Sequence, residues 1–435
     1  MRGAAPQRLA FLPFLAVVFF NVSGGPYGME DAVSVFGPGL ALCLLIVTPL
    51  LVSLPVALAM AELGSALPEE GGYVAWVARA FGPFWGFQVG WWSWLNSFVD
   101  VAVYPALFVD YLRHWHPEMT TTERAGLALG FIWVLTAVNL AGVRLTGWGA
   151  AALAVGALLP IAWLTLASAS HADHAPWVPL AAPGQGLVGG LGLGLAVMMW
   201  NYSGWDTPST VLGETRAPET TYRRALWWAL PLIALANVAP VAAGLAATRD
   251  WQGWRTGHWP VIASAVGGPW LAGAVVAGAV TATAGLFLSL VLTNSRLPFA
   301  LALRGMLPRW LAATSGRTGV PWVAVLVSCA AYSVCALWSF KELIVLNVWL
   351  YSLTLLLEMA AFVALRLRER DLSRPFRVGG GAAGFWLTAV LPSAAALLAM
   401  ATAGWLNTMA GLAAALTGPA AWIWYRARSA SVGGG

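Results

Sequence analysis

Acidic, aromatic and glycine residues stand together where two long apolar stretches of the sequence are interrupted. The stretch Phe11–Phe20 runs into Ser23-Gly24-Gly25-Pro26-Tyr27-Gly28, and Leu187–Trp200 runs into Asn201-Tyr202-Ser203-Gly204-Trp205-Asp206. Within hydrocarbon, an unwound turn persists only where it lines a cavity, because its backbone groups need polar partners. Residues of these types at such a break are suited to binding a polar solute. An ordinary Pro or Gly kink is the alternative for either break alone, whereas two matched breaks favour a transporter's substrate site.

Two aspartates are the first candidates for contact with that solute. Asp206 lies within the second break, and Asp100 precedes Tyr104 by about one helical turn inside another apolar stretch. An ionisable group at membrane depth is costly and is a functional candidate by default. The structural alternatives are a helix cap for Asp206, which could also do both, and an interhelical hydrogen bond for Asp100.

Aromatic side chains around the breaks can close over a solute or hold a cation against a ring face. Tyr27 belongs to the first break, and Trp200, Tyr202 and Trp205 belong to the second. The chain has 26 tryptophans, so most must serve packing or the lipid interface. We assign site roles to Trp200 and Trp205 among them, because they adjoin the break.

Four other acidic residues have predicted roles, one in proton coupling and three in ion pairs. Glu30 follows the first break, and with Asp100 and Asp206 it is a candidate for proton coupling, since the only lysine, Lys341, falls in an outside loop. For Glu62, Glu214 and Glu358, pairing with loop arginines is the favoured interpretation.

The composition is that of an integral membrane protein. Hydrophobic residues make up 59% of the chain and charged residues 9%, and the mean hydropathy is +0.73. We predict an all-α protein with about twelve membrane-spanning helices, because apolar runs of about 20 residues recur along the chain. The predicted spans are Leu9–Val33, Leu40–Leu63, Trp85–Leu112, Ala125–Ala141, Gly147–Ser168, Leu187–Leu212, Ala225–Ala247, Trp270–Leu297, Val320–Trp338, Leu343–Leu365, Gly384–Ala403 and Leu406–Tyr425.

The distribution of basic residues predicts the orientation. With the N-terminus in the cytoplasm, the outside keeps five cations, Arg113, Arg124, Arg249, Arg255 and Lys341, and the other 18 of the 23 Lys and Arg residues lie inside. The positive-inside rule therefore predicts that both termini are cytoplasmic. The stretch Glu70–Pro83 between the second and third spans is typical of a helix lying on the cytoplasmic face.

Several classes of function are disfavoured. We find no nucleophile constellation, zincin motif or phosphate loop, so we predict that the chain is not an enzyme. The arginines are strung along short loops and form no basic domain for nucleic acid. Cys43, Cys329 and Cys335 fall inside predicted spans, and we expect no disulfide framework, metal site or cofactor.

Several motifs resemble those of the amino acid/polyamine/organocation superfamily, and most of all its polyamine-uptake and L-type amino acid transporter branch. The matching segments cover most of the chain in order. They are Val22–Asp31, Ala61–Gly64 with Pro68–Val74, Gly82–Gln88, Asp100 with Tyr104-Pro105, Trp205-Asp206 with Gly213-Glu214, Arg304–Pro308 and Arg374–Phe376.

The resemblance implies a LeuT-like fold of two inverted five-helix repeats, with broken first and sixth spans and two further helices. The single transporter domain, 1–435, then comprises repeats 9–168 and 187–365 and the extra helices 384–425. The resemblance also implies that Gly24, Gly25 and Gly28 leave amides free for a solute carboxylate. The site it implies consists of Ser23, Gly24, Gly25, Tyr27, Gly28, Asp100, Tyr104, Trp200, Tyr202, Ser203, Gly204, Trp205 and Asp206.

Two departures from the polyamine-uptake pattern bear on the solute. Leu290 and Asn347 stand where that pattern carries acidic residues. Fewer carboxylates weaken a site for a polycation. The sequence alone therefore favours neutral or singly charged amino acids over spermidine.

We accordingly predict a proton-coupled permease of the plasma (inner) membrane that moves amino acids or related amines by alternating access. A polyamine importer is the alternative within this class. A non-transporting solute sensor and a channel are alternatives from other classes. The loop Arg113–Thr122 contains no cysteine, so we expect no disulfide-linked accessory subunit.

Overall fold

A computed structural model describes residues 7–184, 198–199, 201–337 and 340–432 of the 435. Those residues form helices joined by short turns, with one isolated β-bridge between Leu9 and Thr215. The α-helices are α1 (Phe11–Val22), α2 (Glu30–Phe36), α3 (Pro38–Thr48), α4 (Leu54–Ala66), α5 (Tyr73–Phe81), α6 (Pro83–Asp100), α7 (Val103–Leu112), α8 (Thr121–Leu140), α9 (Val143–Ser170), α10 (Pro218–Ala247), α11 (Trp259–Asn294), α12 (Arg296–Leu303), α13 (Trp322–Cys335), α14 (Phe340–Arg368), α15 (Gly381–Thr402) and α16 (Trp405–Val432).

Eight helical segments within the described residues are long and apolar enough to cross a membrane. They are Pro38–Ala66, Pro83–Leu112, Thr121–Leu140, Val143–Ser170, Pro218–Ala247, Trp259–Leu303, Trp349–Arg368 and Gly381–Thr402. Phe11–Val22 and Trp322–Cys335 are shorter apolar helices. The chain is thus an all-helical, multi-pass membrane protein, and the number of twelve spans stays a prediction.

Both predicted breaks are present in the backbone. In the first, α1 ends at Val22 and α2 begins at Glu30. In the second, helical structure gives way at Tyr202 and resumes as a 3₁₀-helix, Thr207–Glu214. The apolar stretch 185–197 that leads into this break lies outside the described residues, as does Trp200.

The helix α1 lies at the centre of the packing. It contacts α9, α10 and α11, and its residues from Pro13 to Val22 are almost all buried. A π-helical turn, Pro49–Ser53, separates α3 from α4, and the Ser53 hydroxyl donates a hydrogen bond to the Tyr202 carbonyl (3.3 Å). The irregular turn thus satisfies a backbone group that the second break sets free.

The helix predicted between the second and third spans is α5. Its buried face carries Tyr73, Val74 and Trp76, and it packs against α6 and α14. Tyr73 is thereby brought towards the centre of the molecule.

Candidate functional site

The two breaks touch each other through their backbones. Gly204 has φ +92°, and a Cβ atom added to it would stand 2.2 Å from the carbonyl oxygen of Asn21, near the end of α1. A side chain at position 204 would therefore collide with α1 and would also be strained at that φ. Only glycine allows the second break to approach the first this closely.

A small, partly open cavity of about 40 Å³ lies beside this contact. Its lining is mostly polar and includes residues from the end of α1, from the second break, from α5 to α7, and from α11 and α14. The lining residues are Asn21, Val22, Tyr73, Ser93, Asn96, Ser97, Asp100, Tyr104, Ser203, Gly204, Asp206, Thr207, Leu290, Asn294, Tyr351 and Thr354. Asp100, Tyr104, Ser203, Gly204 and Asp206 are the sequence-predicted site residues that it brings together.

Asp206 lies in the wall of this cavity with 3% of its surface exposed. The Tyr351 hydroxyl donates a hydrogen bond to its Oδ1 (3.2 Å), and the Thr207 hydroxyl donates to its Oδ2 (3.5 Å). Tyr351 also accepts a hydrogen bond from the Gly204 amide (3.2 Å), so one hydroxyl links the break to the carboxylate. No ion pair to Asp206 is formed by the side chains that the structure describes.

The capping alternative for Asp206 is not what this structure shows. Asp206 precedes the 3₁₀-helix, yet its side chain makes no cap hydrogen bond. Its carbonyl oxygen accepts from the Ser209 amide instead (2.9 Å). The carboxylate is left facing the cavity.

Asp100 and Tyr104 line the cavity from either side of a turn, where the sequence predicts one continuous helix. Asp100 is the last residue of α6, and Val101 and Ala102 form a turn before α7. Two carboxylates therefore line the same cavity. None of the lining residues within the described part of the chain is lysine, arginine or histidine.

The glycines and Ser23 of the first break do not line this cavity. The Gly25 amide donates to the Ser23 hydroxyl (3.1 Å), which in turn lies 3.2 Å from Asn237 Oδ1. The Gly28 amide donates to Glu30 Oε2 (2.7 Å). A Cβ on Gly24 would meet the side chain of Leu286 at 2.6 Å, so its role here is close packing.

Glu30 and Tyr27 lie at the far end of the first break, away from the cavity. Glu30 is fully buried, and its Oε1 accepts from the Tyr111 hydroxyl (2.7 Å) and the Gly257 amide (3.1 Å). Tyr27 packs edge-on against Tyr111, with the ring centroids 5.6 Å apart. The Glu30 carboxylate joins α2 to α7 and to the loop before α11.

Tyr202 and Trp205 are buried beside the cavity. The Tyr202 hydroxyl donates to the Leu45 carbonyl (3.0 Å), and the Trp205 indole donates to the Tyr202 carbonyl (2.8 Å). The Tyr222 hydroxyl donates to the Trp205 carbonyl (2.9 Å). These contacts hold the unwound backbone in place around Gly204.

A polar stripe on α6 was missed by the sequence reading. Ser93, Asn96, Ser97 and Asp100 follow the spacing i, i+3, i+4 and i+7, which places them on one helix face, and all four line the cavity. The same spacing within an apolar helix was a usable signal. Tyr73 and Asn294 gave no such local signal. Leu290 lines the cavity, while the side chain of Asn347 lies outside the described residues.

The predicted ion pairs with arginine are present for Glu62 and Glu214. Glu62 pairs with Arg366 and, at 3.2 Å, with Arg374. Glu214 accepts two hydrogen bonds from the buried Arg296 (2.7 and 3.0 Å). The expectation is wrong for Glu358. Both of its oxygens are buried, and neither has a hydrogen-bond partner among the described residues.

Comparison with known proteins places the chain in a family. The family model described as "Amino acid permease" matches residues 13–425. The polyamine transporter PUT1 of Oryza sativa subsp. japonica is 37% identical over 403 residues, which cover 92% of this chain and 75% of that protein. The polyamine transporter RMV1 of Arabidopsis thaliana is 35% identical, with coverage of 95% and 84%.

A more distant relative is bacterial. An uncharacterized transporter of Mycobacterium tuberculosis (strain ATCC 25618 / H37Rv) is 27% identical over 74% of this chain and 71% of that protein. The family match spans both breaks and nearly all the helices described above. The chain therefore belongs to the amino acid permease family and is a membrane transporter, not an enzyme.

Proposed function

We propose that this permease imports polyamines, whose ammonium groups bind to Asp206 and Asp100. The observation that carries the proposal is the cavity at the contact of the two breaks. Among the residues that the structure describes, its lining includes two aspartates and no basic residue.

Charge explains why such a cavity suits a polycation. Each desolvated ammonium group needs an anionic or aromatic partner, since an unpaired buried charge costs several kcal/mol. Asp206 and Asp100 supply two negative charges, and the rings of Tyr73, Tyr104 and Tyr351 add faces that attract cations. Hydroxyl and amide oxygens of the lining can accept the remaining N–H hydrogen bonds. The relatives named polyamine transporters support the same solute class.

A cationic amino acid is the second candidate, favoured by Leu290. This residue lines the cavity without a charge, and two of the described lining residues are acidic. An amino acid also needs a partner for its carboxylate. The amides of Gly25 and Gly28 are already bonded to Ser23 and Glu30. We rank polyamines first for this reason, which reverses the order suggested by the sequence alone.

The rest of the transport cycle belongs to the same proposal. We place the protein in the plasma (inner) membrane with both termini cytoplasmic, as two inverted repeats (9–168 and 187–365) followed by two helices (384–425). Uptake is driven by the proton gradient through alternating access, and no disulfide-linked subunit is needed. The cytoplasmic excess of arginines and the two breaks support this arrangement. The polar residues gather around one central cavity, which suits occlusion of a solute better than a continuous channel.

Competition in proteoliposomes tests the solute. Labelled spermidine should enter vesicles containing the wild-type protein, and unlabelled putrescine or spermidine should compete better than arginine or leucine. The Asp206→Asn variant should lose uptake, while Asp250→Asn, in the loop before α11, should keep it. Stronger competition by any amino acid than by spermidine would replace the polyamine proposal with the second candidate. Binding without any flux would indicate a sensor.

A further inference from the structure

Glu358 is a buried carboxyl group that the proposed solute site does not use. It lies in α14 with 1% of its surface exposed, and neither Oε1 nor Oε2 has a hydrogen-bond partner among the described residues. A carboxylate buried in this way is very costly unless a proton or a cation neutralises it. Glu358 therefore needs a partner that the described side chains do not provide.

The position of Glu358 on its helix links it to the cavity. Tyr351, Thr354 and Glu358 follow the spacing i, i+3 and i+7, so they share one face of α14. Tyr351 and Thr354 line the cavity, and Glu358 comes about one turn later, towards the arginines at the cytoplasmic end of the helix. It thus lies next to the solute cavity without being part of its lining.

The described groups that interact with the charge of Glu358 include no positive one. Asp206, in the second break, repels it electrostatically. The other titratable groups that interact with its charge are tyrosines: Tyr73 on α5, Tyr222 on α10 and Tyr351 on α14 itself. Arg366 follows two turns later on α14, and its guanidinium pairs with Glu62 on α4.

We propose that Glu358 binds the proton that is transported together with the solute. The inference rests on the proposed function and adds its coupling residue. A proton fits better than a metal ion, because the described residues include no group of three or more His, Cys, Asp or Glu that could hold a metal. It also fits better than a second ammonium group, because Glu358 is outside the cavity lining.

The two buried carboxylates explain how coupling arises. Closing the site over Asp206 and Glu358 removes both from water, which is favourable only if both negative charges are neutralised. The solute ammonium neutralises Asp206, and the proton neutralises Glu358. With solute bound, the transporter then crosses between its two open forms only when Glu358 is protonated, which couples solute movement to the proton. On the cytoplasmic side, access of water to Glu358 releases the proton.

The experiment compares wild type, Glu358→Gln and Glu118→Gln in proteoliposomes. Glu118 is an exposed residue of the loop before α8 and serves as the control for loss of a carboxylate. In the wild type, an inward proton gradient should drive accumulation of labelled spermidine, and spermidine should acidify the lumen as reported by a pH dye. Glu358→Gln should keep spermidine exchange at equal pH, lose the acidification and accumulate at least about tenfold less. The Glu118 variant should match the wild type.

Three results would decide against the inference or its basis. Gradient-driven accumulation that persists in Glu358→Gln would overturn it, and so would wild-type uptake that ignores the proton gradient while exchange continues. Absence of spermidine exchange in the wild type would instead overturn the proposed function. If Glu358→Gln also loses exchange, the Glu358→Asp variant is measured instead. Proton-coupled uptake with a shifted pH dependence supports the inference, and a pH dependence equal to that of the wild type overturns it.

Discussion

At the scale of single residues, Tyr351 connects the backbone of the second break to the carboxylate that faces the solute. Its hydroxyl accepts from the Gly204 amide and donates to Asp206 Oδ1, both at 3.2 Å. Hydrogen bonds to charged groups contribute more than those between neutral groups. The hydroxyl therefore fixes the direction in which the Asp206 carboxylate points.

Removal of that hydroxyl should weaken solute binding without unfolding the protein. We expect Tyr351→Phe to raise the KM for spermidine uptake about tenfold, because a hydrogen bond to a charged group is worth about 1.5–3 kcal/mol. The matched control is Tyr425→Phe, since the Tyr425 hydroxyl donates to the Leu307 carbonyl (3.1 Å) outside the cavity lining. Equal KM values for Tyr351→Phe and wild type would show that the hydroxyl does not hold the carboxylate for binding.

At the scale of elements, the site depends on two unwound segments that are in direct contact. The backbone of the second break accepts hydrogen bonds from the Ser53 and Tyr222 hydroxyls, and its Gly204 amide donates one to the Tyr351 hydroxyl. Its approach to α1 depends on Gly204.

Alanine at position 204 should disrupt the site. The added Cβ would stand 2.2 Å from the Asn21 carbonyl oxygen at a φ of +92°. Backbone strain of this kind costs about 1–3 kcal/mol before the collision is added. We expect Gly204→Ala to reduce uptake more than about tenfold and to lower the unfolding temperature.

Glycines elsewhere provide the control for this change. A Cβ on Gly126 or Gly130, both in α8, has nothing within 4 Å. Alanine at these helical positions should be neutral or stabilise by about 0.5–1 kcal/mol. Wild-type uptake by Gly204→Ala would contradict the close contact of the breaks.

The loop between α4 and α5 contains a carboxyl group whose ionisation should affect stability. Burial and the neighbouring charge of Glu214 raise the pKa of Glu70 from its ordinary value of 4.5 to about 8, against the opposing effect of Arg296 and Arg304. Glu70 is thus largely neutral in the folded protein at neutral pH. Its contribution to stability is complete below its unfolded pKa and is lost as the pH rises through about 8.

Replacement of Glu70 by glutamine should remove this pH dependence. Between pH 6 and pH 9, the unfolding temperature of the wild type should fall relative to that of Glu70→Gln, as measured by thermal unfolding in detergent. The exposed Glu118→Gln variant controls for the loss of a carboxyl group at the surface. Parallel curves for wild type and Glu70→Gln across this range would show that the carboxyl group ionises normally.

At the scale of the whole molecule, the distribution of arginines predicts the orientation in the membrane. Two exposed threonines lie on opposite sides in this arrangement: Thr121 at the start of α8, outside, and Thr314 between α12 and α13, in the cytoplasm. Because both positions carry threonine, replacement of each by cysteine makes the same chemical change on opposite sides of the membrane.

Labelling of single cysteines measures the orientation. In a background without Cys43, Cys329 and Cys335, an impermeant thiol reagent added to intact cells should label Thr121→Cys and not Thr314→Cys. Permeabilised cells should show labelling of both. The reverse pattern would mean that the chain is inserted the other way round.

The sequence by itself determined the features that depend on local pattern. Apolar runs predict membrane helices because burying a polar side chain in lipid is costly anywhere along a span. The two breaks were visible because Gly24 to Gly28 and Asn201 to Asp206 interrupt such runs with residues that a membrane helix avoids. Asp100 and Asp206 were found because charge at membrane depth stands out in sequence alone.

Only the tertiary structure decided which residues meet in the site. Gly204 bonds to Tyr351 from 147 positions away, and Thr293 bonds to Asn21 from 272 positions away. Such contacts depend on how helices pack, and the side chains involved follow no local period. Glu358 shows the limit most clearly. Its sequence neighbourhood suggested a partner in Arg366, but in the structure that arginine pairs with Glu62, and Glu358 is buried without a partner among the described residues. A helix fixes which face a residue occupies but not what lies opposite.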